Sequence, residues 1–212
     1  MALLLVCSVS SYGKSPLRFG IKAGTDISRL AIANNNAMFN NESTSFGFGF
    51  YGGGLLEISG PAGSKFKGQV EALFAQRNFK NSYTTMADFI TIDEKTSLSQ
   101  ISVPVSVKYF IIPSLSVNVG ASVNFNLASK TKADASAFNA GGSTEIDNKE
   151  QDYLQTLQVG ALGGITYYIY KGFFVDARYN YYFGKTLDLK NDRSRPGFNN
   201  MSSIQIGIGY KF

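Results

Sequence analysis

Between residues 99 and 128, apolar and polar side chains alternate with a period of two. Ile101, Val103, Val105, Val107, Tyr109 and Ile111 share one parity; Ser102, Pro104, Ser106, Lys108 and Phe110 share the other. The alternation breaks at Ile112-Pro113-Ser114. It then resumes with Leu115, Val117, Val119, Ala121, Val123, Phe125 and Leu127 set against Ser116, Asn118, Gly120, Ser122, Asn124 and Asn126. Side chains alternate across a strand, so the segment predicts two strands, each with one apolar and one polar face, joined by a tight turn. Each strand is about 10 residues or longer, against roughly 5–6 in soluble sheets and about 9–11 in a strand that crosses a membrane.

The same rhythm predicts strands over 17–29, 46–58, 66–76, 153–169, 173–183 and 204–212, which makes eight with the central pair. Their connections alternate in length. Long polar stretches cover 34–45, 78–98, 129–152 and 184–200; short turns cover 59–65, 112–114 and 170–172. An even strand number with short turns at one end and long loops at the other is the pattern of an outer-membrane barrel. The fold expected is all-β, an eight-stranded antiparallel up-and-down transmembrane β-barrel. No repeat beyond this hairpin rhythm and no domain boundary interrupts it.

Periodicity alone does not say which face meets lipid. In a soluble barrel the apolar face would fill the interior; in a membrane barrel it would point outward. The character of the polar face favours the second arrangement. It is rich in small residues (Gly20, Gly49, Gly53, Ser102, Ser106, Gly120, Gly207, Gly209), which suits the narrow lumen of an eight-stranded barrel. Its charges carry both signs, and inside a barrel they must pair, because an isolated buried charge is costly. Lys22, Glu57, Lys67, Glu71, Arg77, Lys108, Asp176 and Arg178 are therefore expected as lumen ion pairs. On the apolar face, Tyr109, Tyr167, Phe173, Tyr210 and Phe212 fall near the short turns and are expected as membrane-interface aromatics. Pro104 cannot donate a ladder hydrogen bond, so a local bulge or a water-satisfied carbonyl is expected there.

Composition changes little in this picture. The net charge is +5, but the Lys and Arg residues are scattered, which argues against nucleic-acid binding. The one cysteine, Cys7, excludes an internal disulfide and a cysteine metal cluster. It lies in a short apolar run, Ala2 to Ser10, of signal-peptide length. Residues 1–13 are expected to be a signal-peptide remnant and 14–212 the barrel domain.

Residues 100–109, Gln-Ile-Ser-Val-Pro-Val-Ser-Val-Lys-Tyr, resemble the Ile-Pro to Lys-Tyr strand of a small outer-membrane β-barrel family of Bacteroidota that includes PorT-like proteins. Here Val103 precedes Pro104, a departure from the family's pattern. Asp176-Ala177-Arg178-Tyr179-Asn180-Tyr181 is similar to the family's penultimate strand, and Val159-Gly160-Ala161-Leu162-Gly163-Gly164 to its glycine-rich strand. The aromatic Phe212 is similar to the strand end that the barrel-assembly machinery reads. The resemblance implies residence in the outer membrane, contact with its lipid and lipopolysaccharide, and, for PorT-like members, service to type IX secretion.

Candidate chemistry is sparse. The chain has no histidine, which removes the commonest metal ligand and the usual base for a serine nucleophile. Glu57 and Glu71 could face one another as a carboxylate pair, but the cations around them favour ion pairing. No catalytic residue, cofactor site or metal site is expected. The expected role is surface binding, adhesion or structural support through four outer loops. A secretion accessory and a small pore or carrier are the alternatives.

Overall fold

The computed structural model describes residues 17–33, 39–85, 90–137, 156–183 and 197–212. The alternation becomes strands throughout: β1 (Leu17–Ala33), β2 (Phe39–Ser45), β3 (Gly47–Ser59), β4 (Phe66–Thr85), β5 (Ile90–Ile112), β6 (Leu115–Ala137), β7 (Leu157–Tyr170), β8 (Phe173–Phe183) and β9 (Gly197–Lys211). Neighbours pair antiparallel in the order β1–β3–β4–β5–β6–β7–β8–β9, and β9 pairs back onto β1. This closes an eight-stranded antiparallel barrel, which leaves no edge within the ring. β2 is a ninth segment outside the ring count; it pairs with β4 above the end of β3.

The two faces separate cleanly. Leu17, Phe19, Ile21, Phe48, Phe74, Val105, Val119, Ile165 and Ile208 are exposed on the outside, whereas Lys22, Asp26, Glu57, Glu71, Arg77, Lys108 and Arg178 are buried inside. This inversion of the soluble rule, apolar out and charge in, is what a lipid solvent requires.

Two interior glycines make room for aromatic rings. A Cβ on Gly207 would overlap the Tyr51 hydroxyl, and one on Gly209 would overlap the Phe174 ring. Tyr51 and Phe174 are themselves buried in the lumen. Gly209→Val is therefore expected to cost at least about 1–3 kcal/mol through overpacking. The check is the temperature at which the folded band is lost in a heat-modifiability gel, which should fall.

Several boundaries differ from those expected. β7 begins at Leu157, and residues 153–155 of the expected strand lie outside the described residues. Residues 78–98 were expected as a polar connection, yet β4 runs on to Thr85 and β5 starts at Ile90, with Thr85 paired to Ile90. β6 likewise runs on to Ala137, opposite Ile90. β2 joins the outer side of β4, with Phe39 opposite Thr85. Together β2, β4, β5 and β6 raise a four-stranded sheet beyond the apolar belt. β5 has 23 residues, about twice the 9–11 that a crossing needs. Among the described residues, β6 loses its β7 partner beyond Phe125, although the Asn126 N–H still donates to the Thr156 carbonyl at 3.0 Å. The expected signal-peptide segment lies outside the described residues, as does most of the expected loops at 129–152 and 184–200.

Pro104 sits in β5 without a bulge. It pairs in register with Ser122 on β6, and on the β4 side the register is the same before and after it, at Val70 opposite Val105 and Leu73 opposite Ser102. The ladder to β4 lapses only at the intervening positions. A missing N–H thus removes local bonding while long paired stretches on both sides hold the register, so no bulge is needed.

Candidate functional site: the ion-paired lumen

The lumen charges divide into three layers along the barrel axis. In the middle layer, Glu71 on β4 accepts two hydrogen bonds from Arg178 on β8, from Nη2 at 2.5 Å and from Nη1 at 3.1 Å. Lys22 on β1 lies 3.2 Å from Glu71 and 2.9 Å from Asp176. Gln69 donates to Glu71 at 2.5 Å, and the Tyr51 hydroxyl donates to Asp176 at 3.5 Å. Two cations face two carboxylates, and the forked Arg–carboxylate geometry is the strongest pairing available to them.

Toward the long-strand end, Arg77 on β4 donates from Nε to Asp26 on β1 at 3.1 Å and from Nη2 to the Tyr182 hydroxyl at 2.5 Å. Its guanidinium also lies over the Tyr182 ring, 4.7 Å from the centroid. Gln205 donates to Asp26 at 2.9 Å, and Ser28 donates to its other oxygen. Toward the short-turn end, Glu57 on β3 pairs with Lys67 at 3.0 Å and with Lys211. The Tyr168 hydroxyl donates to Glu57 at 3.3 Å and accepts from Lys211 at 2.5 Å and from Lys108 at 3.3 Å.

The opposite wall, β5 to β7, carries mostly amides and hydroxyls, with Lys108 on β5 its one buried charge among the described residues. Ser102 donates to Asn124 at 2.6 Å, Asn118 to Thr166 at 3.3 Å, and Gln100 to Asn126. The other long charged side chains stand on β1, β3, β4, β8 and β9 and pair chiefly among themselves, facing this wall of shorter ones. That is how a narrow lumen accommodates both.

The family model described as "Outer membrane protein beta-barrel domain" matches residues 10–188. The chain belongs to that family. The barrel therefore resides in the outer membrane, and its exposed apolar belt is the surface that spans it. Solved structures similar to this outer-membrane barrel include Ail, the attachment invasion locus protein of Yersinia pestis, at 16% identity and a TM-score of 0.46, covering 92% of this chain and 98% of that one. Neisserial surface protein A is similar at 13% identity and a TM-score of 0.49, covering 92% and 97%. OprG from Pseudomonas aeruginosa is similar at 12% identity and a TM-score of 0.39, covering 92% and 95%. No curated protein matches the chain.

In this outer-membrane barrel, all eight charges singled out from the sequence lie on the lumen face, but not as one set. Glu57 and Glu71 do not face each other: Glu57 pairs across the strands with Gln69, and Glu71 with Leu55. Each has its own cations, so the two carboxylates do not form the acid/base pair considered from sequence. Among the described residues, no group of three or more His, Cys, Asp or Glu is placed to hold a metal ion. Lys108 differs from the other cations. Among the described residues it has no carboxylate within ion-pair distance, and its ammonium contacts the Tyr168 hydroxyl and lies 5.8 Å over the Phe174 ring. A buried charge without a carboxylate of its own contributes little or costs stability. Lys108→Met is thus expected to leave the barrel as stable or raise its stability by about 1 kcal/mol, as read by urea or thermal unfolding in the same lipid.

The layers also contain residues that sequence reasoning missed. Asp26 and Lys211 stand at polar-face positions outside the expected set of ion pairs, and Tyr51, Tyr168 and Tyr182 are not assigned to the network from sequence. The usable signal was parity: these tyrosines stand at lumen positions, while most other aromatics stand at lipid positions. Outward aromatics stand at both ends of the belt, with Phe46, Phe48, Phe125 and Phe183 exposed toward the long-strand end and a second group at the short-turn end. Phe173 and Tyr210 rings are 4.7 Å apart, Tyr210 and Phe212 are 5.2 Å apart, and Phe66 and Tyr109 are 5.0 Å apart. Tyr109 and Tyr167 are exposed on the same outer face.

Proposed function

We propose that this barrel is a closed, non-catalytic surface protein that acts through the sheet its strands raise above the outer membrane. The observation that carries the reading is the pairing of a filled lumen with over-long strands. Layered ion pairs from Lys22 to Arg178 occupy the interior, so the barrel offers little room for a solute. Meanwhile β4, β5 and β6 continue far past the apolar belt, and polar structure at the mouth of a rigid scaffold is where recognition usually resides. The partner is a surface or secretion component, and the barrel carries no cofactor and binds no nucleic acid.

The test has two parts. In planar bilayers the purified barrel should show no steady large openings; such openings would return the pore reading to first place. On whole cells, replacing residues 80–95 with a short turn should abolish surface binding while assembly and heat resistance persist. Unchanged binding would overturn the reading. The strand over 100–109 keeps a PorT-like secretion accessory as the second reading, and co-purification of secretion subunits in mild detergent would favour it.

A further inference from the structure

We infer that the short-turn mouth of the lumen is a binding site for a small oxyanion of the phosphate or sulfate class. Among the described residues, the lumen-facing positions at this end carry four cations against one carboxylate. The cations are Arg18 on β1, Lys67 on β4, Lys108 on β5 and Lys211 on β9; the carboxylate is Glu57 on β3. Arg18 stands directly opposite Glu57, which fixes its face, and is exposed at the rim. Glu57 takes Lys67 and Lys211 as its ion-pair partners. Arg18 and Lys108 have no carboxylate within ion-pair distance among the described residues.

The cations are crowded together instead of spread apart. Lys67 and Lys108 are directly opposed on β4 and β5, an arrangement in which like charges repel. Lys108 and Lys211 both donate to the Tyr168 oxygen, at 3.3 and 2.5 Å, which holds the two ammoniums within about 6 Å of each other. Both also lie over the Phe174 ring, 5.8 and 5.4 Å from its centroid. Tyr168 stacks on Phe110 at 5.6 Å, and the Lys67 ammonium lies 4.8 Å over the Phe110 ring. A ring face attracts a cation through its quadrupole. The aromatic cluster therefore positions three ammoniums without neutralising them, and their charge remains available to an anion.

Two hydroxyls beside Lys108 point to the same kind of ligand. Ser106 lies two residues inward from Lys108 on the same face of β5. Ser116 stands opposite Phe110 on β6, two residues from Asn118, which is the residue opposite Lys108. Ser106 and Ser116 are 3% and 0% exposed, and neither hydroxyl has a hydrogen-bond partner. Buried polar groups are normally paired. Ammonium and hydroxyl donors drawn from β5, β6 and β9 suit an acceptor with several oxygens and more than one negative charge. Further in, the layer of Lys22, Glu71, Asp176 and Arg178 closes the lumen. The ligand therefore enters past Arg18 and the half-buried Lys67 from the periplasm, which the short turns of such barrels face. The inference does not depend on the recognition role proposed above, and it leaves the lumen closed.

The test uses the full barrel in zwitterionic detergent micelles, which leave both mouths open. Inorganic phosphate, sulfate and chloride are titrated at one ionic strength, and binding is read by calorimetry and by the shift in melting midpoint. Phosphate and sulfate should bind saturably and raise the midpoint with concentration, as a ligand of the folded state must; chloride should not. Lys108→Met, expected above to be at least as stable as the parent, should weaken phosphate binding by about tenfold, the loss of one charged hydrogen bond. Arg18→Gln at the exposed rim should weaken it as well, and Lys108→Arg should retain it. Ser116→Ala should weaken it by about two- to tenfold, although it removes a hydroxyl with no partner in the fold. Lys171→Gln is the control, because that ammonium lies 5.1 Å over the outward Tyr170 ring. A general stabilisation by these salts would survive in every variant. Equal phosphate binding in Lys108→Met and Arg18→Gln, or an equal effect of chloride, overturns the inference. A response to added anionic phospholipid with none to free phosphate or sulfate overturns the assignment to a small oxyanion.

Discussion

Glu71→Gln should destabilise the barrel by about 3–5 kcal/mol, the usual cost of breaking a buried ion pair by removing one partner. Glu71 is 2% exposed, and it accepts from both Arg178 and Gln69 while lying 3.2 Å from Lys22. With it neutral, Lys22 and Arg178 share Asp176 alone, and Arg178 is already 4.0 Å from that carboxylate. Two cations would then compete for one anion in a water-poor lumen. The cost is expected to fall on stability, not on insertion, because the lipid-facing belt is untouched. Heat-modifiability gels should show normal folded protein that unfolds at a lower temperature. Adding Arg178→Met should recover much of the loss, since Lys22 and Asp176, 2.9 Å apart, remain a balanced pair. Such non-additivity is the signature of direct coupling. Unchanged melting in Glu71→Gln would show that the lumen pairs contribute little, and with them would go the picture of a plugged barrel.

The barrel ring was legible because lipid imposes a strict rule on it. Val103, Val105, Val117 and Val119 alternate with Ser102, Ser106, Ser116 and Asn118 for as long as one face meets hydrocarbon. Above the belt that rule lapses. Outward positions on β5 become Ser99, Ser97 and Lys95, and both faces of the rising sheet are free to be polar. The backbone continues as strand, but the hydrophobic period that reveals a strand has gone. That is why 78–98 reads as a loop although 78–85 and 90–98 fold as paired strands. Register is then set by neighbours already paired below, which no single strand's sequence displays.

The lumen was legible in its inventory and not in its partners. Parity identified Lys22, Glu71, Asp176 and Arg178 as interior. Which acid takes which base depends on strand stagger and on reach across the barrel, as in the pairing of Arg178 on β8 with Glu71 on β4. The tyrosines follow the same logic. Tyr51 fits because Gly207 leaves space at its hydroxyl, a relation between β3 and β9 that closure alone creates. At Pro104 the bulge is the part of the expectation that does not occur: the residue forbids one hydrogen bond, and the long ladders on either side keep the register unshifted.

A charge on the outer face should be tolerated or not according to its depth, and this tests the assignment of that face to lipid. Val105 lies midway between the Tyr109 and Ile101 ends of the outward face of β5, is 53% exposed, and stands opposite Ala121 on β6. Val105→Arg is expected to cost about 2–4 kcal/mol in a bilayer, the penalty for a basic residue at the midplane of a barrel wall. Tyr109→Arg, at the short-turn rim, should cost only about 0–1 kcal/mol on the charge account, although it also removes the ring contact with Phe66 at 5.0 Å. The measurement is reversible urea unfolding in vesicles of a single phospholipid, with both variants compared to the parent. A water-facing surface would show no such gradient, because exposed substitutions there usually change stability by less than about 0.5 kcal/mol. Equal, small effects at Val105 and Tyr109 would therefore mean that the apolar belt does not meet hydrocarbon. A steep difference, with the midplane variant failing first as the bilayer thickens, is the outcome the inverted pattern of faces requires.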